Sequence, residues 1–200
     1  SSRSRRIWSV GLPAPSRFGV FLAPFHDPAG NPTLQIRRDL ELTDRLDDLD
    51  HVLLDDELAV GDLLDIGNAQ DGDLVVLIGG IAVEGTAILA TQAAEALTGI
   101  DPDLFTRAGR FLTTPGISVV PAARALQASR ATVRGMHDPT EGGLATALPE
   151  LSAATGLGLE VDLDAIPIYP ETQAICDALG LDPLGLISSG ALLAVVAPDA

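Results

Sequence analysis

A short segment, residues Met136 to Leu144, carries the side chains with the clearest chemical potential in this chain. It holds a histidine, two carboxylates and a glycine pair between two apolar stretches. Asp138 is a good helix N-cap, Pro139 suits the first helical position, and Glu141 falls at the third, as in a capping box. The spacing therefore predicts a helix that begins at Asp138.

Helix formation alone does not explain the glycine pair, Gly142 and Gly143, in the first turn of this helix. Glycine in a helix interior costs roughly 1 kcal/mol relative to alanine. It does allow another group to approach the backbone closely, and the N–H groups of a helix N-terminus attract anions. We therefore predict that Thr140, Gly142 and Gly143 contact a phosphate or a phosphorylated substrate.

Two carboxylates and an imidazole beside this glycine pair have alternative roles. Asp138 and Glu141 either cap the helix or hold Mg²⁺, which binds one or two carboxylates together with phosphate oxygens and water. Asp138 is also a candidate contact to the phosphorylated ligand. His137 is a candidate catalytic proton carrier near neutral pH, although a lone histidine at a strand end is more often structural.

Two other segments offer hydroxyl and backbone donors. The earlier one either contacts a ligand or simply initiates a helix, and the later one either contacts a ligand or forms a tight turn before a strand. The candidate ligand contacts in these segments are Glu84, Gly85, Thr86, Ser188, Ser189 and Gly190.

The composition excludes several functional classes. The 200 residues include no lysine, and all twelve basic residues are arginine, which removes Schiff-base and P-loop lysines. A net charge of −16 argues against nucleic acid or an anionic membrane as a partner. The chain contains no run of about 18 apolar residues, so the sequence predicts no transmembrane helix.

The cysteine content indicates a reducing environment. Cys176 is the sole cysteine, so the chain has no internal disulfide and no cysteine-based zinc cluster. Its apolar neighbours on a predicted helix favour a small core residue over a nucleophile. The basic N-terminus is not followed by the apolar run of a secretory signal, and we expect a cytoplasmic protein.

Charge and proline divide the chain into a short irregular extension and a regular domain. Residues 1–40 are proline-rich with a net charge of +4, and residues 41–73 have a net charge of −11. From residue 69 strands and helices alternate. We predict an irregular extension over residues 1–68, made of loop and short extended pieces with a short acidic helix, followed by one folded domain over residues 69–200.

The alternation within residues 69–200 predicts an α+β domain, with helices packed on a layered mixed sheet. We expect the last strand to lack cover, which implies a domain that continues past residue 200. The predicted strands are 73–78, 131–136, 157–163 and 191–197. The predicted helices are 84–97, 117–128, 138–154 (kinked or ended early by Pro149) and 171–179, with a loop and a helical turn over 101–114.

Four segments in this order resemble the C-terminal domain of the aminoimidazole ribonucleotide (AIR) synthase superfamily. They are Gly80-Ile-Ala-Val-Glu-Gly-Thr-Ala-Ile-Leu-Ala90, Pro115-Gly-Ile-Ser-Val119, Met136-His-Asp-Pro-Thr-Glu-Gly-Gly-Leu144 and Leu181-Asp-Pro-Leu-Gly-Leu-Ile-Ser-Ser-Gly-Ala-Leu-Leu193. The resemblance is closest to the HypE-like, AIR synthase-related proteins of hydrogenase maturation. It implies an AIR-synthase-type C-terminal domain, with residues 188–190 facing the same cleft as the helix start near Asp138.

The resemblance also implies a chemistry. Members use ATP and Mg²⁺ to activate a substrate oxygen as a phosphate ester or anhydride. They carry an N-terminal ATP-binding domain with a Gly-Asp-Asp-Ala-Ala type segment, which residues 1–68 lack. The HypE-like pattern has arginine at both positions that are His137 and Glu141 here.

Two hypotheses follow. In the first, the chain is the substrate-side half of an ATP-dependent enzyme that activates a substrate oxygen by phosphoryl transfer and binds a small or phosphorylated substrate. In the second, it is a non-catalytic module derived from that domain, which binds a partner subunit or forms a homodimer. An exposed edge on the last strand would favour the module.

Overall fold

The computed structural model describes residues 7–10, 33–36 and 64–198. Within these ranges six strands form one sheet. The strands are β1 (Ile7–Val10), β2 (Thr33–Ile36), β3 (Leu74–Ile78), β4 (Val133–His137), β5 (Gly158–Asp162) and β6 (Leu192–Val196). The helices are α1 (Val83–Gln92), α2 (Pro102–Ala108), α3 (Val120–Ala128), α4 (Gly143–Thr155) and α5 (Pro170–Leu179).

The sheet is mixed, and its topology brings several loops to one edge. The strand order is β1-β5-β2-β3-β6-β4, with β1 and β6 antiparallel to their neighbours. Strands β2, β3, β4 and β5 therefore run in the same direction, and their carboxyl ends lie at the same edge. The chain enters β6 at that edge, because Leu192 pairs with Ile78 at the end of β3.

Both faces of the central strands are buried, because alternate residues of a strand point to opposite sides of the sheet. On one face Val75, Leu77 and Leu193 pack with Leu144 and Leu148 of α4. On the other face, side chains of β3 and β6 pack around α3; this group comprises Val76, Ile78, Leu126, Leu192, Ala194 and Val196. The predicted α+β layered fold is confirmed.

A second helical layer forms around α1, α2 and α5. Ala90, Ala108 and Ile175 form its small apolar core. Arg107 of α2 and Glu171 of α5 form an ion pair with 2.5 Å between Nε and Oε1. The hydroxyl groups of Thr86 and Thr172 lie 2.7 Å apart in a buried hydrogen bond, which joins α1 to α5.

Several predicted elements need correction. The helix after β4 begins at Gly143 with Gly142 as its N-cap, so Asp138 is not the cap. It passes through Pro149 and continues to Thr155, so an early end is wrong. A proline inside a helix costs about 3 kcal/mol, which the buried leucine face of α4 offsets. The helix predicted over 84–97 ends at Gln92, and a separate 3₁₀ turn follows it.

The predicted lack of cover on the last strand is also wrong. Strand β6 lies between β3 and β4, and all five of its residues are buried. Hydrogen bonding on both sides leaves β6 no free edge for another chain.

The structure does confirm other elements. Strand β3 and helix α5 match their predicted positions, and Gly180 ends α5 with φ of +65°. The loop with a helical turn predicted over 101–114 contains α2, capped by the Asp101 side chain. Among the described residues, no helix has the length and apolar character needed to cross a membrane.

The buried leucine face of α4 should dominate the stability of the domain. Leu148 is 0% exposed, whereas Leu112 is 46% exposed and serves as a matched control. Leu148→Ala should lower the free energy of unfolding by about 2–5 kcal/mol, because it removes apolar contacts and leaves a cavity. Leu112→Ala should change it by less than about 0.5 kcal/mol, as is usual at the surface. Urea unfolding followed by circular dichroism measures both, and equal losses would contradict the assignment of the core.

Candidate functional site

Three loops meet at the edge where β3 and β4 end and β6 begins. The first, residues 79–86, leads from β3 into α1, and the second, residues 138–143, leads from β4 into α4. The third, residues 184–190, approaches β6 and will be called the 184–190 loop. The structure therefore brings all three predicted ligand-contact segments together.

The 184–190 loop packs directly on the start of α4. A Cβ atom on Gly143 would collide with the carbonyl oxygen of Leu186 and would lie 2.6 Å from that of Leu184. Gly142 and Gly143 also have positive φ angles of +75° and +59°, which favour glycine. The chain's own backbone thus makes the close approach that the glycine pair allows.

The same loop also packs on the start of α1. The N–H group of Gly85 donates a hydrogen bond to the carbonyl oxygen of Ile187 at 2.9 Å. A Cβ atom on Gly85 would lie 2.9 Å from the Cβ atom of Leu186. Gly85 and Gly143 therefore allow one loop to fit between the first turns of two helices.

Ser188 lies at the centre of this packing and is fully buried. Its hydroxyl accepts a hydrogen bond from the N–H group of Ala82 and donates one to the carbonyl oxygen of Leu186, both at 2.9 Å. Its own N–H group donates to the carbonyl oxygen of Thr140 at 3.3 Å. The predicted tight turn is present as well, because the N–H group of Ala191 donates to the carbonyl oxygen of Ser188.

A second close contact lies next to this turn and involves three glycines. Gly190 has φ of +101°, and a Cβ atom there would lie 2.8 Å from the carbonyl oxygen of Gly116. A Cβ atom on Gly79 would lie 2.9 Å from the carbonyl oxygen of Gly190. Backbone packing therefore accounts for Gly190.

Several of the predicted donor groups already have partners within the chain. The N–H group of Gly143 donates to the carbonyl oxygen of Thr140 at 3.0 Å. The hydroxyl of Thr86 is hydrogen-bonded to the hydroxyl of Thr172. In the described residues, the groups left toward solvent at this edge are mainly the exposed Asp138, Glu141 and Gly142 and the partly exposed Glu84 and Ser189.

Glu141 is the carboxylate at this edge whose ionised form is clearly favoured by its neighbours. A hydrogen bond from the Thr140 hydroxyl, followed by one from its own backbone N–H group, lowers the pKa of Glu141. His137 Nε2 lies 3.2 Å from Oε2 of Glu150 on α4, and both side chains are partly exposed. His137 therefore has a carboxylate partner that sequence reasoning did not identify.

These carboxylates determine whether the edge can bind a metal ion. Residues 64–198 contain no group of three or more histidine, cysteine, aspartate or glutamate side chains that could hold a metal ion. Asp138 and Glu141 thus fit Mg²⁺ only as one or two ligands of an ion whose other ligands are phosphate oxygens and water.

Sequence reasoning missed Ala82, Leu186 and Ile187. Ala82 has a left-handed backbone with φ of +61°, and the other two contribute carbonyl oxygens to the packing. These roles belong to the backbone and join residues far apart in the chain. The glycines that face them were the available signal.

Comparison with known proteins identifies the fold and the family of this domain. The structure resembles the crystal structure of Escherichia coli HypE, a hydrogenase maturation protein, with a TM-score of 0.52 and 22% identity over 70% of this chain and 40% of that one. The shared fold is that of an α+β domain. The chain belongs to the AIR synthase related protein family, whose C-terminal domain model matches residues 70–200.

A curated relative is more similar in sequence. The carbamoyl dehydratase HypE of Cupriavidus necator is 38% identical over 138 residues, which are 68% of this chain and 36% of that protein. The chain thus spans about a third of its relative's length.

Two distant structural neighbours contain a ligand or a partner. They are a HypE in complex with ATP, at 22% identity and a TM-score of 0.42, and a HypE–HypF complex, at 26% identity and a TM-score of 0.44. The first alignment covers 67% of this chain and 37% of that one, and the second 67% and 40%. At these TM-scores neither alignment locates a site on this chain.

The glycine packing can be tested with two glycines of one helix. Gly143 is the first residue of α4 and Gly156 is its C-cap, both with positive φ, but a Cβ atom on Gly156 meets nothing within 4 Å. Gly156→Ala should cost about 1 kcal/mol, for backbone strain alone. Gly143→Ala should cost about 1–3 kcal/mol more, because the Leu186 carbonyl must move. Chemical denaturation measures the free energy of unfolding of both variants. Equal losses of stability would show that the 184–190 loop does not constrain Gly143.

The burial of the Cys176 thiol leads to a separate prediction. Cys176 is 1% exposed, and burial raises the pKa of its thiol to about 11. The thiol should therefore react with a disulfide reagent at pH 8 only after unfolding. Since the folded pKa lies above the ordinary value of 9.0, unfolding releases a proton between these values, and stability should fall as pH rises from about 9 to about 11. The Cys176→Ala variant should lack this pH dependence of stability. Rapid labelling of the native protein by the disulfide reagent would contradict the burial of the thiol.

Proposed function

We propose that this chain is the phosphate-side half of an ATP-dependent, HypE-like enzyme that activates a substrate oxygen by phosphoryl transfer. The observation that carries the proposal is the meeting of residues 79–86, 138–143 and 184–190 at one edge of the sheet. Membership of the AIR synthase related family supports it, because the matched domain includes all three loops.

Charge at the edge supports a role for a divalent cation. The charged side chains of the three loops are Glu84, Asp138 and Glu141, all acidic. They would repel a free phosphate, and no lysine anywhere in the chain offsets them. A Mg²⁺ ion bound to Asp138 or Glu141 would reverse this repulsion and hold a nucleotide phosphate. ATP, when bound, supplies the phosphoryl group that turns a substrate oxygen into a leaving group.

Within this proposal each site residue has a limited role. Backbone and hydroxyl groups at Thr140, Gly142 and Ser189 face the ligand, while Gly85, Thr86, Gly143, Ser188 and Gly190 shape the edge that holds it. His137, which is paired with Glu150, is the candidate proton carrier. The name of the relative makes a carbamoyl group the first substrate class to test.

The alternative is a non-catalytic module that binds a partner subunit or forms a homodimer. Strand β6 does not support it, since β6 lies inside the sheet. The observation that favours it is a set of exposed apolar side chains close together in sequence, Leu112, Ile117 and Val120.

Calorimetric titration of the full chain with Mg-ATP tests the proposal. The chain should bind, and its melting temperature should rise with ligand concentration, because a ligand that binds only the folded state stabilises it. The double variant Asp138→Asn, Glu141→Gln should bind about tenfold more weakly or worse, a loss of about 1.4 kcal/mol. The control Glu95→Gln, at an exposed site beyond α1, should bind like the original chain.

The outcomes separate the two candidates. If neither Mg-ATP, Mg-ADP nor inorganic phosphate binds or stabilises the chain, the enzyme hypothesis fails for this polypeptide. Light scattering on the same samples then tests the module, which requires a stable oligomer.

A further inference from the structure

We propose that Ser188 is the positioning residue of this edge and that its hydroxyl and N–H groups set the starts of α1 and α4 relative to each other. This inference rests on the proposed function and refines it. Ser188 is reassigned from a ligand contact to the residue that holds the ligand-binding segments in register.

The contacts of Ser188 reach all three loops. Its hydroxyl holds the N–H group of Ala82, immediately before α1, and the carbonyl oxygen of Leu186 within its own loop. Its N–H group holds the carbonyl oxygen of Thr140, which also accepts from Gly143 at the start of α4. One buried residue therefore bonds to the segments that carry Glu84 on one side and Glu141 on the other.

Ala82 shows why the hydroxyl matters. Its φ of +61° is unfavourable for a residue with a Cβ atom. Ala82 is also fully buried, so water cannot replace a lost partner of its N–H group. The Ser188 hydroxyl thus stabilises a strained backbone that would otherwise relax and change the direction in which α1 begins.

The neighbouring glycines transmit this position. The carbonyl oxygen of Ile187 holds the N–H group of Gly85, and the carbonyl oxygen of Leu186 fills the space above Gly143. A shift of the 184–190 loop would therefore move both helix starts, and with them the carboxylates that we propose hold Mg²⁺.

Ser188→Ala tests the inference, and Ser152→Ala is its matched control. Ser152 is also buried and donates a hydrogen bond to the Leu157 carbonyl oxygen at 2.7 Å, but it lies near the other end of α4. Ser188→Ala should bind Mg-ATP about tenfold more weakly, and its Ala82 and Gly85 amides should exchange with deuterium about tenfold faster. Ser152→Ala should stay within about twofold of the original chain in both measurements.

Two further variants distinguish positioning from general destabilisation. Ala82→Gly, added to Ser188→Ala, should restore part of the lost affinity, because glycine adopts the left-handed conformation without strain although its N–H group stays unpaired. Ser188→Cys keeps a side chain of similar size but bonds weakly, so it should give intermediate values even if Ser188→Ala does not fold.

The outcomes are distinguishable. The inference is overturned if Ser188→Ala behaves like Ser152→Ala or if Ala82→Gly gives no rescue. If the original chain binds no Mg-ATP, the proposed function fails and with it the ligand-positioning role. Amide exchange, measured without ligand, then still decides whether Ser188 holds the two helix starts.

Discussion

The carbonyl oxygens of Leu186 and Ile187 occupy the space between the first turns of α1 and α4, and the whole edge depends on this packing. Neither helix start tolerates a side chain at the contact, since a Cβ atom on Gly85 or Gly143 would meet the loop. The loop in turn is held by Ser188 from within. Because interiors are close-packed, such a contact leaves little room for adjustment.

Hydrogen-bond satisfaction explains why this arrangement is stable although it includes an unfavourable backbone. A left-handed residue such as Ala82 costs roughly 1–2 kcal/mol, while a typical internal hydrogen bond contributes about 0.5–1.5 kcal/mol net. One bond therefore only balances the strain. The larger effect is the penalty avoided, because an unpaired N–H group at the buried Ala82 would cost about 1–3 kcal/mol.

Local patterns in the sequence predicted the elements that depend on local physics. The apolar run of β3 and the proline and glycine that bracket α5 identified both elements, because burial and caps are short-range signals. The start of α4 was mispredicted because Asp138, Pro139 and Glu141 imitate a capping box. The helix instead begins after Gly142, and the carbonyl oxygens of Leu184 and Leu186, far along the chain, leave no room for a Cβ atom on Gly143.

The candidate site likewise has features that the sequence predicted and features that it did not. The resemblance predicted that residues 188–190 lie with the helix start near Asp138, and the structure places them together. The individual roles of Ser188, Gly85 and Thr86 were not predictable, since each depends on a partner more than eighty residues away or in another loop. A sequence pattern shows that glycine or serine is needed at a position without showing what fills the space beside it.

The structure changes how we expect the edge to bind an anion. The glycine pair first suggested a bare helix N-terminus that receives phosphate directly. In the folded chain the N–H groups of Gly85 and Gly143 are already paired, and the charged side chains that remain at the edge are carboxylates. A surface of this kind attracts cations first and phosphate only through them. Rigid backbone packing then has a function of its own, because a metal bound by one or two carboxylates is only as well placed as the backbone segments that carry them.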